Sequence, residues 1–205
     1  MKSLRTRALV AFLALAFASV STSLQAGPYD KPKEALEATI AELIEVLHAD
    51  KETLSFEAKR SQILAILEKD FSFDVIIRAA LGRNWRKLDE NQQKQVTLLI
   101  TDLVLRSYTK ELKDGPKPIP TYADPKALSN TKIEIASKVD LEGTEVNLAY
   151  RLANLKDRGW QVYDVLVEGV SMVSNYRKQF DEHFQKKSAA DLIELLKERL
   201  QKAKS

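Results

Sequence analysis

The sequence contains no cysteine and only two histidines. The absence of cysteine excludes disulfide bonds, thiol nucleophiles and thiolate metal sites, so the fold must be held by its hydrophobic core. His48 and His183 are far apart in sequence, and neither stands in a metal-ligand or catalytic pattern. Because two isolated histidines do not complete a zinc site, we expect no metal site and no histidine-based catalysis.

Catalytic signatures are missing as well. The sequence has no HExxH, phosphate-loop, GxSxG or GxGxxG motif. Two carboxylates, Asp74 and Asp164, stand among apolar residues and are the candidates for acid–base chemistry. For Asp164, which points away from the apolar face of its predicted strand, a structural hydrogen bond is the favoured interpretation. We therefore predict that the protein is not an enzyme and has no cofactor.

The first 26 residues have the layout of a secretory signal peptide. Three basic residues within the first seven precede an apolar run that ends at Val20, and small and polar residues follow up to Ala26. The run is shorter than the roughly 20 apolar residues that a transmembrane helix needs. We expect export and cleavage after Ala26, with the bond after Ser23 as the alternative. Without a cysteine, no lipoprotein anchor is expected.

Removal of this segment changes the charge balance. The chain has 32 basic and 29 acidic residues, and residues 1–26 hold three basic residues and no acidic ones. The remaining residues 27–205 are therefore formally neutral. Neutrality argues against nucleic-acid binding, which needs a net basic face. Their number is sufficient for one domain with a sizeable core.

The first part of this domain has a helical hydrophobic period, from Pro32 to about Leu112. It predicts two amphipathic helices, a short third helix and a long fourth one, before which Asp89 and Gln92 form a capping box. The fourth helix is apolar over most of its circumference. We therefore expect it to run through the middle of the molecule.

A change of architecture follows the proline-rich segment 115–120. Segments 133–139, 146–152 and 160–167 alternate between apolar and polar residues, and short turns separate them, which predicts an antiparallel meander. Helical periodicity returns beyond Gly169, and Asp191 begins a last amphipathic helix. Helix-on-sheet folds normally bury their apolar faces against each other. The residues alone thus favour a dry core, with a ligand cavity as the alternative.

Several separated motifs resemble one family. They are GWQVYDV at 159–165, EGVSMV at 168–173, NYRKQF at 175–180, GRNWR at 82–86 and YRL at 150–152. In their order along the chain they resemble the MlaC family, the periplasmic phospholipid shuttles also called toluene-tolerance auxiliary proteins. The resemblance extends over nearly all of residues 27–205, which are expected to form a single lipid-binding domain in the periplasm.

The resemblance implies an α+β fold. N-terminal and C-terminal helices surround a strongly curved antiparallel sheet and enclose an apolar cavity for acyl chains, with the head group near solvent. Because each buried CH₂ contributes about 0.8 kcal/mol, a carrier must replace the bilayer almost completely, and we expect a cavity near or above the upper end of the usual ~300–1,000 Å³ range. The residues expected to line it are Val75, Ile76, Leu99, Leu103, Val104, Tyr108, Val146, Leu148, Tyr150, Leu152, Tyr163, Val165, Val167, Val170, Met172, Val173 and Tyr176.

The implied function is transport of phospholipid as cargo. The family carries lipid between an inner-membrane ABC transporter complex with its membrane-anchored ring protein and an outer-membrane lipoprotein–porin complex, which maintains outer-membrane lipid asymmetry. A periplasmic chaperone or adaptor that binds apolar protein segments is the alternative. Arg151 and Arg177 could approach a lipid phosphate, although a salt bridge is at least as good an interpretation for Arg177. Trp85 and Trp160 are expected to be packing anchors.

Overall fold

The computed structural model describes residues 27–49, 56–111, 117–141 and 143–204, so the expected signal peptide lies outside the described residues. The order of the elements is α1 (Asp30–His48), α2 (Phe56–Asp70), α3 (Phe73–Leu81), a 3₁₀ helix (Gly82–Lys87), α4 (Glu90–Glu111), β1 (Thr121–Tyr122), β2 (Lys126–Ser129), β3 (Lys132–Leu141), β4 (Thr144–Leu155), β5 (Gly159–Val167), β6 (Val170–Ser171), α5 (Met172–Lys186) and α6 (Ala189–Lys204). Among these described helices, none is long and apolar enough to span a membrane.

The six strands form one antiparallel sheet. Its order is β1-β3-β4-β5-β6, and β2 pairs with the same strand, β3, as β1 does. The predicted meander corresponds to the two hairpins β3–β4 and β4–β5, in which Lys132 pairs with Ala153 and Leu148 with Val167. As far as the described residues show, the sheet does not close into a barrel, and helices pack around it. The predicted α+β class with helices around an antiparallel sheet is confirmed.

A bulge in β5 changes which side chains face inward. Arg151 pairs with Asp164 and Leu152 pairs with Val162, which leaves Tyr163 as an extra residue on β5. One extra residue reverses the alternation of side chains along the strand. The ammonium group of Lys132 lies 5.1 Å from the centre of the Tyr163 ring, on the face opposite to Leu152. The prediction that Tyr163 belongs to the inward face is therefore wrong.

Helix α1 covers one half of the inward face of the sheet. Its residues Leu36, Ile40 and Ile44 pack on β3, β4 and β5 in a core that contains, on the sheet, Ile133, Ile135, Tyr150, Leu152 and Val162. The rings of Tyr29 and Trp160 meet edge to face at the border of this core, 5.8 Å between centroids. This half of the sheet is therefore filled, and Trp160 is a packing anchor as predicted.

The other helices form a second layer. A core shared by α3, α4, α5 and α6 includes Leu81, Val96, Phe180 and Leu192, and Trp85 packs against it as predicted. The capping box of α4 is present, because Gln92 N donates to Asp89 Oδ1 at 2.9 Å and Asp89 N donates to Gln92 Oε1 at 3.1 Å.

The position of α4 differs from the prediction. This helix packs mainly against α6 and also contacts α3, and Leu98 is 71% exposed. The prediction that α4 runs through the middle of the molecule is therefore wrong. The side of α4 that carries Leu98 therefore faces water.

Candidate functional site

An apolar cavity of about 710 Å³ lies between the sheet and the second layer of helices. Side chains from α2, α3, α4, β4, β5, α5 and α6 line it. The volume falls within the usual range for small-molecule sites and below the upper end of that range, so the cavity is smaller than we expected. The closed, dry core that the residue pattern alone favours is thus present only in the half of the sheet under α1, and the alternative, a ligand cavity, is present in the other half.

The floor of the cavity comes from the two central strands. Leu148 on β4 is paired with Val167 on β5, and Tyr150, two residues further along β4, is paired with Val165. Leu148, Val165 and Val167 line the cavity. Leu148 and Val165 also contact the α1 core, so they mark the boundary between the filled and the hollow half of the sheet.

The walls of the cavity are formed by rows of side chains along the helices α3, α4, α5 and α6. Phe73, Ile76, Ile77 and Ala80 line the cavity from α3, at the spacing of three and four residues that places side chains on one helix face. On α5 the stripe is Met172, Val173, Tyr176, Gln179, Phe180 and His183. The rings of Tyr176 and Phe180 stack, with centroids 6.5 Å apart. Helix α4 adds Ile100, Thr101, Leu103 and Val104, and α6 adds Leu192, Leu195, Leu196, Arg199 and Ala203.

The cavity brings together nine of the residues expected to line it. They are Ile76, Leu103, Val104, Leu148, Val165, Val167, Met172, Val173 and Tyr176. Those that the structure places elsewhere, among the residues it describes, are Val75, Leu99, Val146, Tyr150, Leu152, Tyr163 and Val170. Tyr108 lies in the part of α4 whose side chains are outside the described residues.

The residues placed elsewhere have separate physical reasons. Tyr150 and Leu152 are buried under α1 in the filled half of the sheet, and Tyr163 is turned away by the bulge. Val170 is 57% exposed on the short edge strand β6.

The remaining three lie beside the cavity. Val146 pairs with Val139 on β3, beyond Leu148 on the same strand. Val75 and Leu99 are half-buried and directly precede the lining residues Ile76 and Ile100. Both residues lie just outside the group of side chains with which their helices face the cavity.

Sequence reasoning missed the contribution of α6. The sequence predicts an amphipathic helix from Asp191, but its pattern does not indicate that the apolar side chains of Leu192, Leu195 and Leu196 line a cavity. The end of α2 and the segment after it were also missed, where Leu67, Phe71 and Phe73 line the cavity. A parallel bridge between Phe71 and Val162 joins this segment to β5.

The polar groups of the cavity are few. Thr101, Gln179, His183 and Arg199 are the polar or charged residues among the described lining, and Arg199 is the one with a permanent charge. His183 Nε2 donates to the carbonyl oxygen of Ser188 at 3.1 Å, which fixes the orientation of its ring. The rest of the lining is aliphatic or aromatic apart from the Tyr176 hydroxyl. The cavity therefore suits an elongated apolar molecule with a polar end.

The two candidate carboxylates have structural partners. Asp164, 4% exposed, accepts hydrogen bonds from Ser171 Oγ at 2.7 Å and from the backbone N–H of Val173 at 3.1 Å. Asp74 forms a two-point ion pair with Arg158, at 2.8 and 3.1 Å, and this hydrogen bonding lowers the pKa of Asp74. Within the described part of the chain, no group of side chains is arranged to hold a metal ion.

The two arginines considered for a phosphate are engaged elsewhere. Arg151 Nε donates to Glu134 Oε2 at 2.9 Å, and its pKa is raised chiefly by this hydrogen bond. Arg177 donates to the carbonyl oxygen of Ala79 at 2.9 and 2.6 Å, near the end of α3. Neither residue lines the cavity.

An apolar cavity with a polar fringe, inside an α+β domain whose other half is filled, defines a binding domain for an apolar ligand. Comparison with known proteins identifies the domain: the chain belongs to the MlaC protein family, whose model matches residues 37–198. No curated protein matches the chain.

A solved structure shows the same fold. It is a phospholipid-binding protein from Ralstonia solanacearum in complex with a phospholipid, with a TM-score of 0.75 and 21% sequence identity. The match covers 84% of this chain and 98% of that one. At this identity the likeness establishes the fold, and what that protein binds is a property of that protein.

Proposed function

We propose that this protein is a periplasmic phospholipid carrier and not an enzyme. The observation that carries the proposal is the cavity of about 710 Å³ in a member of the MlaC family, lined almost entirely by apolar side chains. The phospholipid bound by the Ralstonia solanacearum protein of the same fold supports the choice of ligand. The apolar lining supports binding by the acyl chains, which all phospholipids share.

The transfer free energy makes an enclosed cavity necessary. At about 0.8 kcal/mol for each CH₂, two acyl chains with about 30 carbons in all contribute roughly 20–25 kcal/mol. A cavity of about 710 Å³ lined by apolar side chains supplies an apolar environment for acyl chains.

The carrier is proposed to work between two membranes. It receives or delivers phospholipid at an inner-membrane ABC transporter complex with its anchored ring protein, and at an outer-membrane lipoprotein–porin complex. Membership of the MlaC family supports this route. The sequence features of the signal peptide support a periplasmic location. In this role the lipid is cargo, and outer-membrane lipid asymmetry depends on its transport.

A chaperone for protein segments fits the cavity less well. A bound peptide brings backbone N–H and C=O groups that need hydrogen-bond partners when they are buried. The described lining offers side-chain partners at Thr101, Tyr176, Gln179, His183 and Arg199. Acyl chains have no such requirement, so the composition of the lining favours lipid.

Native mass spectrometry tests the proposal. Protein purified from the periplasm without detergent is expected to carry diacyl phospholipid in near-stoichiometric amount, because loss of acyl chains to water is unfavourable. Lipids extracted from the same sample identify the head groups. A single lipid-free mass under gentle conditions, together with no uptake from phospholipid vesicles, would exclude the carrier function.

A further inference from the structure

Arg199 differs in chemistry from the rest of the cavity lining. It lies on α6, three residues after Leu196 and four before Ala203, both of which also line the cavity. It is nevertheless an exposed residue. A long side chain that both borders a cavity and reaches water lies at the opening, with its stem along the apolar wall and its charged end in solvent.

Among the residues that the structure describes, none pairs with the guanidinium group of Arg199. Within the described residues it has no hydrogen bond or ion pair, whereas Arg151 and Arg158 are paired with carboxylates. The nearest carboxylates in sequence do not compete for it. Glu194 pairs with Lys197 at 2.8 Å, and Glu198 is the adjacent residue, which points to another side of the helix.

The ligand chemistry follows from the guanidinium group. Arginine presents N–H donors in a planar fork that matches two oxygens of a phosphate, and such charge-assisted hydrogen bonds are about twice as strong as neutral ones. Every diacyl phospholipid carries a negatively charged phosphate next to its acyl chains, whatever forms the rest of the head group. A cation at the opening of an acyl-chain cavity is therefore placed where this phosphate would lie.

We propose that Arg199 binds the phosphate of the phospholipid at the mouth of the cavity and so sets how deeply the acyl chains enter. This inference rests on the proposed function and adds a phosphate subsite to it. In this proposal Arg199 recognises the phosphate, which is the part of the head group that different phospholipids share. The carrier then discriminates phospholipids from neutral diacyl lipids and does not discriminate strongly among head groups.

The test compares two lipids with the same acyl chains, phosphatidylglycerol and diacylglycerol, which lacks the phosphate. Equilibrium transfer from vesicles to delipidated protein is measured for wild type, Arg199→Gln, Arg199→Lys and the control Lys197→Gln. The control removes one positive charge from an exposed position of the same helix that does not line the cavity. Melting temperatures of the four proteins establish that each variant is folded.

We expect Arg199→Gln to weaken phosphatidylglycerol binding about 5-fold to 10-fold, since a charge-assisted hydrogen bond at an exposed opening is at the lower end of its usual strength. Diacylglycerol binding should be unchanged, Arg199→Lys should restore part of the loss, and Lys197→Gln should bind as wild type. Phosphatidylethanolamine should show the same loss as phosphatidylglycerol.

Two results would overturn the inference. Equal binding of phosphatidylglycerol by wild type and Arg199→Gln would show that no phosphate is held there. An equal loss in Arg199→Gln and Lys197→Gln would show an effect of net charge alone. Failure of the wild type to take up either lipid would instead refute the carrier function, and the phosphate subsite with it, so the two failures are distinguishable.

Discussion

The carboxylate of Asp164 accepts a hydrogen bond from the backbone N–H of Val173 at 3.1 Å, and this contact joins β5 to the first turn of α5. The first N–H groups of a helix have no partner within the helix, and a negative charge near them is favourable. Ser171 Oγ donates to the same carboxylate and accepts from Ser174 N at 3.0 Å. The stripe of α5 that lines the cavity is therefore anchored to the sheet at its start.

This anchor predicts the effect of removing Asp164. Asp164→Ala should lower the free energy of unfolding by about 2–3 kcal/mol, because it removes a carboxylate at the start of α5 and leaves the buried N–H of Val173 without its partner. Asp74→Ala is the matched control, since it breaks an ion pair in which both side chains are largely exposed and which contributes about 0.2–1 kcal/mol. Urea unfolding measures both. Equal losses would contradict the anchoring role.

Leu148 and Leu152 lie on the same face of β4 but differ in surroundings. Leu148 lines the cavity, whereas Leu152 is 1% exposed in the core under α1. We expect Leu148→Trp to leave the stability of delipidated protein nearly unchanged and to lower bound lipid by at least about half, because the indole occupies volume otherwise filled by acyl chain. Leu152→Trp should cost about 1–3 kcal/mol through overpacking.

Thermal unfolding and lipid content of the two tryptophan variants are the measurements. The comparison is informative because both changes add the same side chain to the same strand. Lost stability with unchanged lipid in Leu148→Trp would place that residue in a closed core. An equal loss of stability in Leu148→Trp and Leu152→Trp would also show that Leu148 lies in a closed core.

Burial raises the pKa of Tyr150 to about 12, whereas an unfolded tyrosine has a pKa of about 10. The unfolded state thus ionises first, so the contribution of Tyr150 to stability is complete below pH 10 and is lost as the pH rises towards 12. Tyr150→Phe should lose less stability across this window than wild type. Burial also raises the pKa of Tyr122, so part of the alkaline loss should remain.

Urea unfolding at pH 8, 10, 11 and 12 measures this effect. Absorbance at 295 nm provides a second readout, in which the variant should lack one late-titrating tyrosine. An identical decrease in stability for wild type and Tyr150→Phe would show that Tyr150 ionises in the folded state as it does in the unfolded one.

The expected signal peptide gives a prediction about processing. Protein recovered from the periplasm should begin at Gly27, or at Leu24 if the alternative bond after Ser23 is cleaved. Mass spectrometry of the N-terminal peptide distinguishes the two. Recovery of a chain that begins at Met1 from the periplasm would contradict the interpretation of residues 1–26.

Local patterns predicted the elements that local physics determines. The alternation along β4 and the capping box at Asp89 and Gln92 depend on residues close in sequence, and both features appear in the structure. The family resemblance supplied the arrangement of these elements, and periodicity alone did not. Even so, the apolar side of an amphipathic helix does not indicate what it packs against, which is why the sequence does not predict Leu192 and Leu196 as cavity residues.

The errors in the site have the same origin. Leu148 and Leu152 have the same chemical character and share a face, and only the position of α1, more than a hundred residues earlier in the chain, makes one a cavity residue and the other a core residue. Tyr163 was misplaced because a single bulged residue reverses the alternation, and no local sequence signal marked it. The sequence does not indicate Arg199 as a residue of the site. Whether its guanidinium group has an ion-pair partner among the described residues depends on where carboxylates from distant parts of the chain lie.

Because one half of the sheet is filled and the other is hollow, the residues that pack the core and most of those that line the cavity lie in different parts of the domain. The core under α1 is packed by protein side chains, so this half does not depend on a ligand for its packing. If the domain carries lipid as proposed, substitutions among the cavity residues can change which lipid is accepted while this core stays intact. Lipid preference and fold stability can then change independently in the course of evolution.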